Sequence, residues 1–198
     1  LPALEPLIGG LMRALSWLLV PGLVVFLIEA EAVFALLGGE AWRAAAPYGR
    51  LLAIPAVAMV HTSWLDRLFD VLGRQRRLLL LQTACAGLSL LAFALGLLLA
   101  NDPQRAVAWQ AAILAVYFVL LAPVVYRLVG YPVRRLLPIA ALPLALATGQ
   151  LAGWHLLRPL LGHWPALLGP LLALWIAGGI VMWRRWRRGA LRTCTRLP

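Results

Sequence analysis

The sequence predicts an all-α fold, a polytopic transmembrane helical bundle of about six spans, and three observations carry that prediction. Hydrophobic residues make up 63% of the chain and charged residues 13%, with a mean hydropathy of +0.88, far from the balance of soluble domains. Apolar runs of about 20 residues recur along the whole length, each long enough to cross roughly 30 Å of hydrocarbon as a helix. The alternating ten-residue segments of a transmembrane barrel are missing from the sequence.

The spans fall at about 7–37, 44–68, 78–99, 107–128, 136–157 and 164–183, and a basic tail follows over 184–198. The first is long and carries Pro21 near its middle, where a lost donor and a ring clash predict a kink. Gly38 and Gly39 stop it. Glu40, Trp42 and Arg43 then form an interfacial turn, with the indole at headgroup depth, and Ala44 to Pro47 start the second span. The third, LLLLQTACAGLSLLAFALGLLL, is the plainest of the six. Pro55, Pro123, Pro138, Pro143 and Pro170 predict further kinks, which a bilayer tolerates only where protein or water satisfies the freed carbonyls. Beyond Arg188 the tail is too poor in apolar residues to predict a fixed structure.

Charge sorts by connection. All eighteen basic residues are Arg, and the seven acids all lie at or before Asp102. Arg13, Arg67, Arg74, Arg76, Arg77, Arg127, Arg134, Arg135 and the tail place fourteen arginines on one side, against Arg43, Arg50, Arg105 and Arg158 on the other. Because cytoplasmic loops collect basic residues, this split predicts a multi-pass protein with both termini cytoplasmic. The formal charge of +11 is thereby used in orientation and in anchoring the tail to anionic lipid, so no nucleic-acid partner is expected. Cys85 and Cys194 lack any CxxC or Cys/His spacing, and the first residues lack the basic-then-apolar pattern of a signal peptide.

Two stretches carry a family resemblance. LMRALSWLLVPGLVVFLIEAEAVFALLGGEAWRAAAPYGRLLAIPA, followed by SWLDRLFDVLGRQRRLLLLQ, resembles the polysaccharide and O-antigen flippases of the multidrug/oligosaccharidyl-lipid/polysaccharide exporter superfamily. The shared pattern is a helix with a central Pro (Pro21), an LLG-E-W turn (Leu36–Trp42), an A-P-Y-R-L helix start (Ala46–Leu51) and an LGRQR loop (Leu72–Arg77) before a Leu-rich helix. It covers roughly residues 11–129. The resemblance implies a two-lobe transporter of twelve or more helices, of which these six are similar to the C-terminal part. It further implies alternating access to a lipid-linked oligosaccharide, a polyprenyl-pyrophosphate glycan, in a bacterial inner membrane. The partners would then be that lipid-linked glycan, the membrane lipids, and a missing N-terminal lobe or a partner subunit. A non-transporting subunit that scaffolds a polysaccharide-synthesis complex is the alternative.

Pathway residues should be polar, at membrane depth and on one helix face, because an ionisable group facing lipid is expensive. Arg50 and His61 are eleven positions apart, about three turns, and so share a face of the second span. They are the candidate substrate-pathway pair, the alternative being a snorkelling Arg50 and a His61 with one interhelix hydrogen bond. Glu29 and Glu31, two apart, point to different faces; each is a counter-charge for Arg43 or Arg50, or a cation ligand. Asp66, Arg67, Asp70 and Arg74 form either a capping ion-pair network at the inner end of the second span or a gate whose bridges break and reform, with Arg74 as a partner of Asp70 four positions on. The stripe Gln82, Cys85, Ala86, Ser89, Phe93 and Gly96, like Gln110 and Tyr117, reads as close helix packing. Thr148, Gln150, Trp154 and His155 cluster near the outer end of the fifth span, and His155 and His163 flank the last outer loop without a third metal ligand. Nucleophile elbow, phosphate loop, zinc-protease helix and carboxylate dyad are all missing from the sequence, so neither an enzyme nor a cofactor or metal site is expected.

Overall fold

A computed structural model describes the backbone of residues 4–194 and the side chains of all of these except 165, 182 and 185–194. Seven α-helices account for most of the described chain: α1 (Leu4–Gly38), α2 (Ala46–Thr62), α3 (Asp66–Val71), α4 (Gln75–Ala100), α5 (Pro103–Val129), α6 (Leu137–Leu161) and α7 (His163–Cys194). Short 3-10 segments at Glu40–Ala45, Ser63–Leu65 and Val133–Leu136 join them. Helices α1, α4, α5 and the stretch Val133–Leu161 are long and apolar enough to cross a membrane, and Ala166–Val181 is a shorter apolar stretch of α7. The fold is an all-α helical membrane bundle of roughly five to six helices. The basic tail expected over 184–198 has its side chains largely outside the described residues, while the α7 backbone remains helical through Cys194.

The helix ends follow from local sequence. Trp42 folds back on the end of α1, where a Cβ on Gly38 would lie 2.4 Å from the indole Cγ; only glycine admits that approach. Asp102 caps α5 by accepting from the Gln104 N–H at 2.8 Å, with Pro103 in the first turn. At the other end of α4, Asn101 takes the left-handed conformation, φ 47°, and its N–H returns to Leu97 O at 3.1 Å.

Two helices depart from the expected pattern. In α1 the backbone leaves helical geometry at Glu29 (φ −105°, ψ 21°), whereas Pro21 lies within helical backbone. A straight helix of this length would measure about 52 Å, well beyond the hydrocarbon layer, so a bend is geometrically useful. It occurs where a second helix supplies donors to the freed carbonyls, as described below. The second span, expected as one helix over 44–68, is a 17-residue helix, a 3-10 turn and a six-residue helix. Side chains there compete for the backbone: Thr62 Oγ1 donates to Ala58 O at 2.9 Å, and Trp64 Nε1 donates to His61 O at 2.7 Å.

Packing order places α1 and α2 in the middle. The α4–α5 hairpin joins α2 through α5, and the α6–α7 hairpin lies against α1. In the α4–α5 contact the backbones approach closely: a Cβ on Gly96 would meet Ala106 Cα at 2.5 Å, and Cys85 and Ser89 are buried on the same stripe. The main core lies at the arginine-rich end, where Met12, Leu65, Phe69, Leu121, Val125 and Tyr126 pack together. Elsewhere large apolar side chains face outward, among them Leu79, Leu80, Leu98 and Leu99 of α4, an exposure suited to lipid and unsuited to water.

Candidate functional site

The polar groups of the bundle gather around α1, and the densest group surrounds its break. Removing Glu29 from helical geometry leaves carbonyls that need partners, because lipid offers none. Arg50 of α2 supplies them. Its Nε donates to Leu27 O at 3.0 Å and its Nη2 to Ile28 O at 3.4 Å, while Nη2 also reaches the Glu31 carboxylate at 3.2 Å. The planar fork of a guanidinium suits three acceptors spread over one turn.

Glu29 turns the other way. Its carboxylate accepts from His163 Nε2, at the first residue of α7. His163 stands edge-on to Trp154 of α6, with ring centroids 6.0 Å apart, and Arg158 lies 5.3 Å from the Trp154 centroid, within cation–π range. The two glutamates therefore serve opposite flanks of α1, as a two-residue separation on a helix requires.

His61 occupies the same face of α2 as Arg50, and that face meets α1. Its Nε2 lies 3.2 Å from Ser16 Oγ and its Nδ1 3.0 Å from Val57 O, and Ser16 Oγ is also 2.9 Å from Met12 O. A carbonyl can only accept, so Nδ1 carries the proton in the Val57 bond. Ser16 Oγ donates to Met12 O and also contacts His61 Nε2. His61 is 9% exposed and Ser16 fully buried.

At the arginine-rich end, a groove of about 530 Å³ is lined by Ser63, Trp64, Asp66, Arg67, Asp70 and Gln82, among others. Asp66 Oδ2 accepts from Gln82 Nε2 at 3.0 Å, while its buried Oδ1 has no hydrogen-bond partner among the described residues. Arg67 approaches Asp70 only to 3.9 Å. The expected Asp70–Arg74 pair does not form, because α3 ends at Val71 and Gly73 (φ 63°) turns the chain before Arg74. The structure thus separates the acids of this end from Arg74 and links Asp66 to α4.

Other pairs were not visible in the sequence. Arg135 donates to Glu5, fastening the start of α1 to the segment before α6. The Glu29–His163 pair spans 134 positions; both residues belong to the same expected end of the bundle, which was the only available signal. Arg43 pairs with Glu40 through two bonds of 2.9 Å, not with Glu29 or Glu31. In that solvent-exposed turn the hydrogen bond from Arg43, followed by its charge, holds the Glu40 carboxyl below the usual range, and the same contacts raise Arg43. Among the described residues, no group of three His, Cys, Asp or Glu side chains is placed to hold a metal ion.

A helical membrane bundle whose longest apolar helix is broken at an acid, and braced there by an arginine from one side and a histidine from the other, is the class these features define. Compared with protein-family models, curated proteins and solved structures, the chain matches none.

Proposed function

We propose that the chain is the C-terminal lobe of a transporter that moves lipid-linked oligosaccharide from the cytoplasmic to the outer leaflet of a bacterial inner membrane, with both termini cytoplasmic. It acts with a second lobe, joined to it or supplied by a partner subunit. The observation that carries this reading is the break at Glu29, held by the Glu31–Arg50 ion pair on one side and the Glu29–His163 hydrogen bond on the other. Intramembrane charges on interrupted helices characteristically line transport routes. The sequence resemblance supplies the substrate class. Arg50 suits a pyrophosphate by charge-assisted pairing: its Nε and Nη2 are engaged by Leu27 O, Ile28 O and Glu31, which leaves Nη1 without a hydrogen bond among the described residues.

The test measures the fraction of lipid-linked glycan open to an externally added, membrane-impermeant glycosidase, in cells that depend on the complete protein. Glu29→Gln should lower that fraction at unchanged amounts of protein and total glycan. An unchanged outward fraction from a well-expressed variant would sink the transport reading. It would favour the scaffolding alternative, which the tying of both Arg50 and His61 to α1 also supports.

A further inference from the structure

The arginine-rich end holds a second, smaller groove, about 230 Å³, between α3, α4 and α5. Arg77, in the first turn of α4, and Arg127, in the last turn of α5, line it at its charged end. Phe69, Leu81, Val124 and Leu128 form the rest of its lining. No carboxylate lines it. The acids of this end are engaged elsewhere: Glu5 with Arg135, Asp70 with Arg67, and Asp66 with Gln82. Arg77 and Arg127 thus have no ion-pair partner among the described residues.

We propose that this groove binds the phosphate headgroup of an acidic membrane phospholipid. Charge complementarity sets the sign of the ligand: two arginines line one groove that no carboxylate lines, and guanidinium matches phosphate oxygens in a fork geometry. The apolar wall sets its class. Leu81 lies one turn beyond Arg77 along α4, and Val124 one turn before Arg127 along α5, so both lead from the charged end towards the hydrocarbon layer. A free phosphate has no use for that wall, whereas a lipid lays its acyl chains along it. The volume is below the roughly 300 Å³ at which pockets for whole drug-sized ligands begin, so the groove encloses the headgroup while the chains lie on the exposed faces of α4 and α5. Basic pockets between helices at the cytoplasmic side are a recognised form of lipid recognition. This site is independent of the transport reading.

The test is lipid exchange on the purified full chain in mild detergent, with bound lipid counted by native mass spectrometry. The probes are phosphatidylglycerol and phosphatidylcholine of identical acyl chains. The wild type should retain one phosphatidylglycerol in preference to phosphatidylcholine, and Arg77→Gln with Arg127→Gln should reduce that preference about tenfold, as expected for two partly exposed charge contacts. Arg76→Gln, an exposed neighbour outside the groove, should leave it intact. Equal retention of the two lipids by the wild type overturns the proposal without recourse to any variant. So does an equal loss in Arg76→Gln, which would indicate diffuse charge alone. Displacement of the lipid by millimolar inorganic phosphate would also overturn it, since the apolar wall would then contribute nothing.

Discussion

Arg50 is the residue whose removal should be felt most widely, because it serves three acceptors on one neighbouring helix. In Arg50→Ala, Leu27 O loses a donor at 3.0 Å, Ile28 O a longer contact at 3.4 Å, and Glu31 its counter-charge at 3.2 Å. A hydrogen bond from a charged group contributes roughly 1.5–3 kcal/mol when well buried, and an exposed ion pair about 0–1 kcal/mol. The Arg50 side chain is 35% exposed and that of Glu31 50%, so water and headgroups replace part of what is lost. The net cost works out at about 2 kcal/mol, dominated by the carbonyl at the break. Arg50→Lys keeps the charge for Glu31 but cannot fork across the turn, and should recover less than half. Glu31→Gln removes only the ion pair and should cost under about 1 kcal/mol. The assay is reversible unfolding in mixed micelles by SDS titration, followed by circular dichroism. If Arg50→Ala falls within about 0.5 kcal/mol of the wild type, the range of ordinary surface changes, or if Arg50→Lys equals the wild type, the bracing role is refuted.

Three further outcomes follow from the packing. Gly96→Leu should destabilise by about 1–3 kcal/mol or prevent assembly, since its Cβ would meet Ala106 backbone at 2.5 Å; Gly87→Ala, with no atom within 4 Å of the new Cβ, should cost nothing in the same unfolding assay. Asp102→Ala removes the cap that accepts from Gln104 N–H and should cost about 1 kcal/mol, read by the same titration. In a Cys194→Ser background, Cys85, 8% exposed against α5, should react with a maleimide far more slowly in the native state than in denaturant. Equal rates would mean that the α4–α5 contact opens freely.

The membrane bundle was legible because lipid imposes a composition, a length and an arginine asymmetry that no soluble fold reproduces. Arg50 and His61 could be placed on one face from spacing alone, and so could the divergence of Glu29 from Glu31. What lay on the other side of those faces could not. The break at Glu29 is invisible to propensity: Pro21 is the residue with a local reason to bend α1, yet the bend occurs where Arg50, nineteen positions or more away, supplies donors. Similarly, Asp70 and Arg74 satisfy an i, i+4 rule that applies only if the helix continues, and a left-handed Gly73 ends it first. Glu5–Arg135 and Glu29–His163 depend on tertiary arrangement entirely.

The distribution of these ties along α1 has a physical logic. Between apolar helices in lipid there is no hydrophobic drive to choose one rotation or register over another. Specificity has to come from close packing and from polar groups that find partners in only one arrangement. Helix α1 carries five such ties, divided between its two flanks. Glu5 binds Arg135 beside α6, Ser16 binds His61 of α2, Leu18 O accepts from Trp175 Nε1 of α7, Glu29 binds His163 of α7, and the Leu27–Glu31 turn binds Arg50 of α2. Three of the five come from the α6–α7 side: an ion pair to Glu5, an indole bond to Leu18 O and an imidazole bond to Glu29. The α2 side is fastened by one charged fork and one imidazole–hydroxyl contact. A rearrangement that moves the α6–α7 hairpin relative to α1 must therefore break the Glu5–Arg135 ion pair, the Glu29–His163 hydrogen bond and the single bond from Trp175 to Leu18 O, whereas sliding α2 must strip two neighbouring carbonyls and a carboxylate of one charged donor. The second is the more costly of the two, because the guanidinium serves three acceptors at once through charge-assisted bonds, while the indole and imidazole contacts are single bonds and the partly exposed Glu5–Arg135 pair is solvated by headgroups and water. Motion within this bundle is accordingly expected at the α1–α6–α7 seam, with α1, α2 and α5 moving as one body.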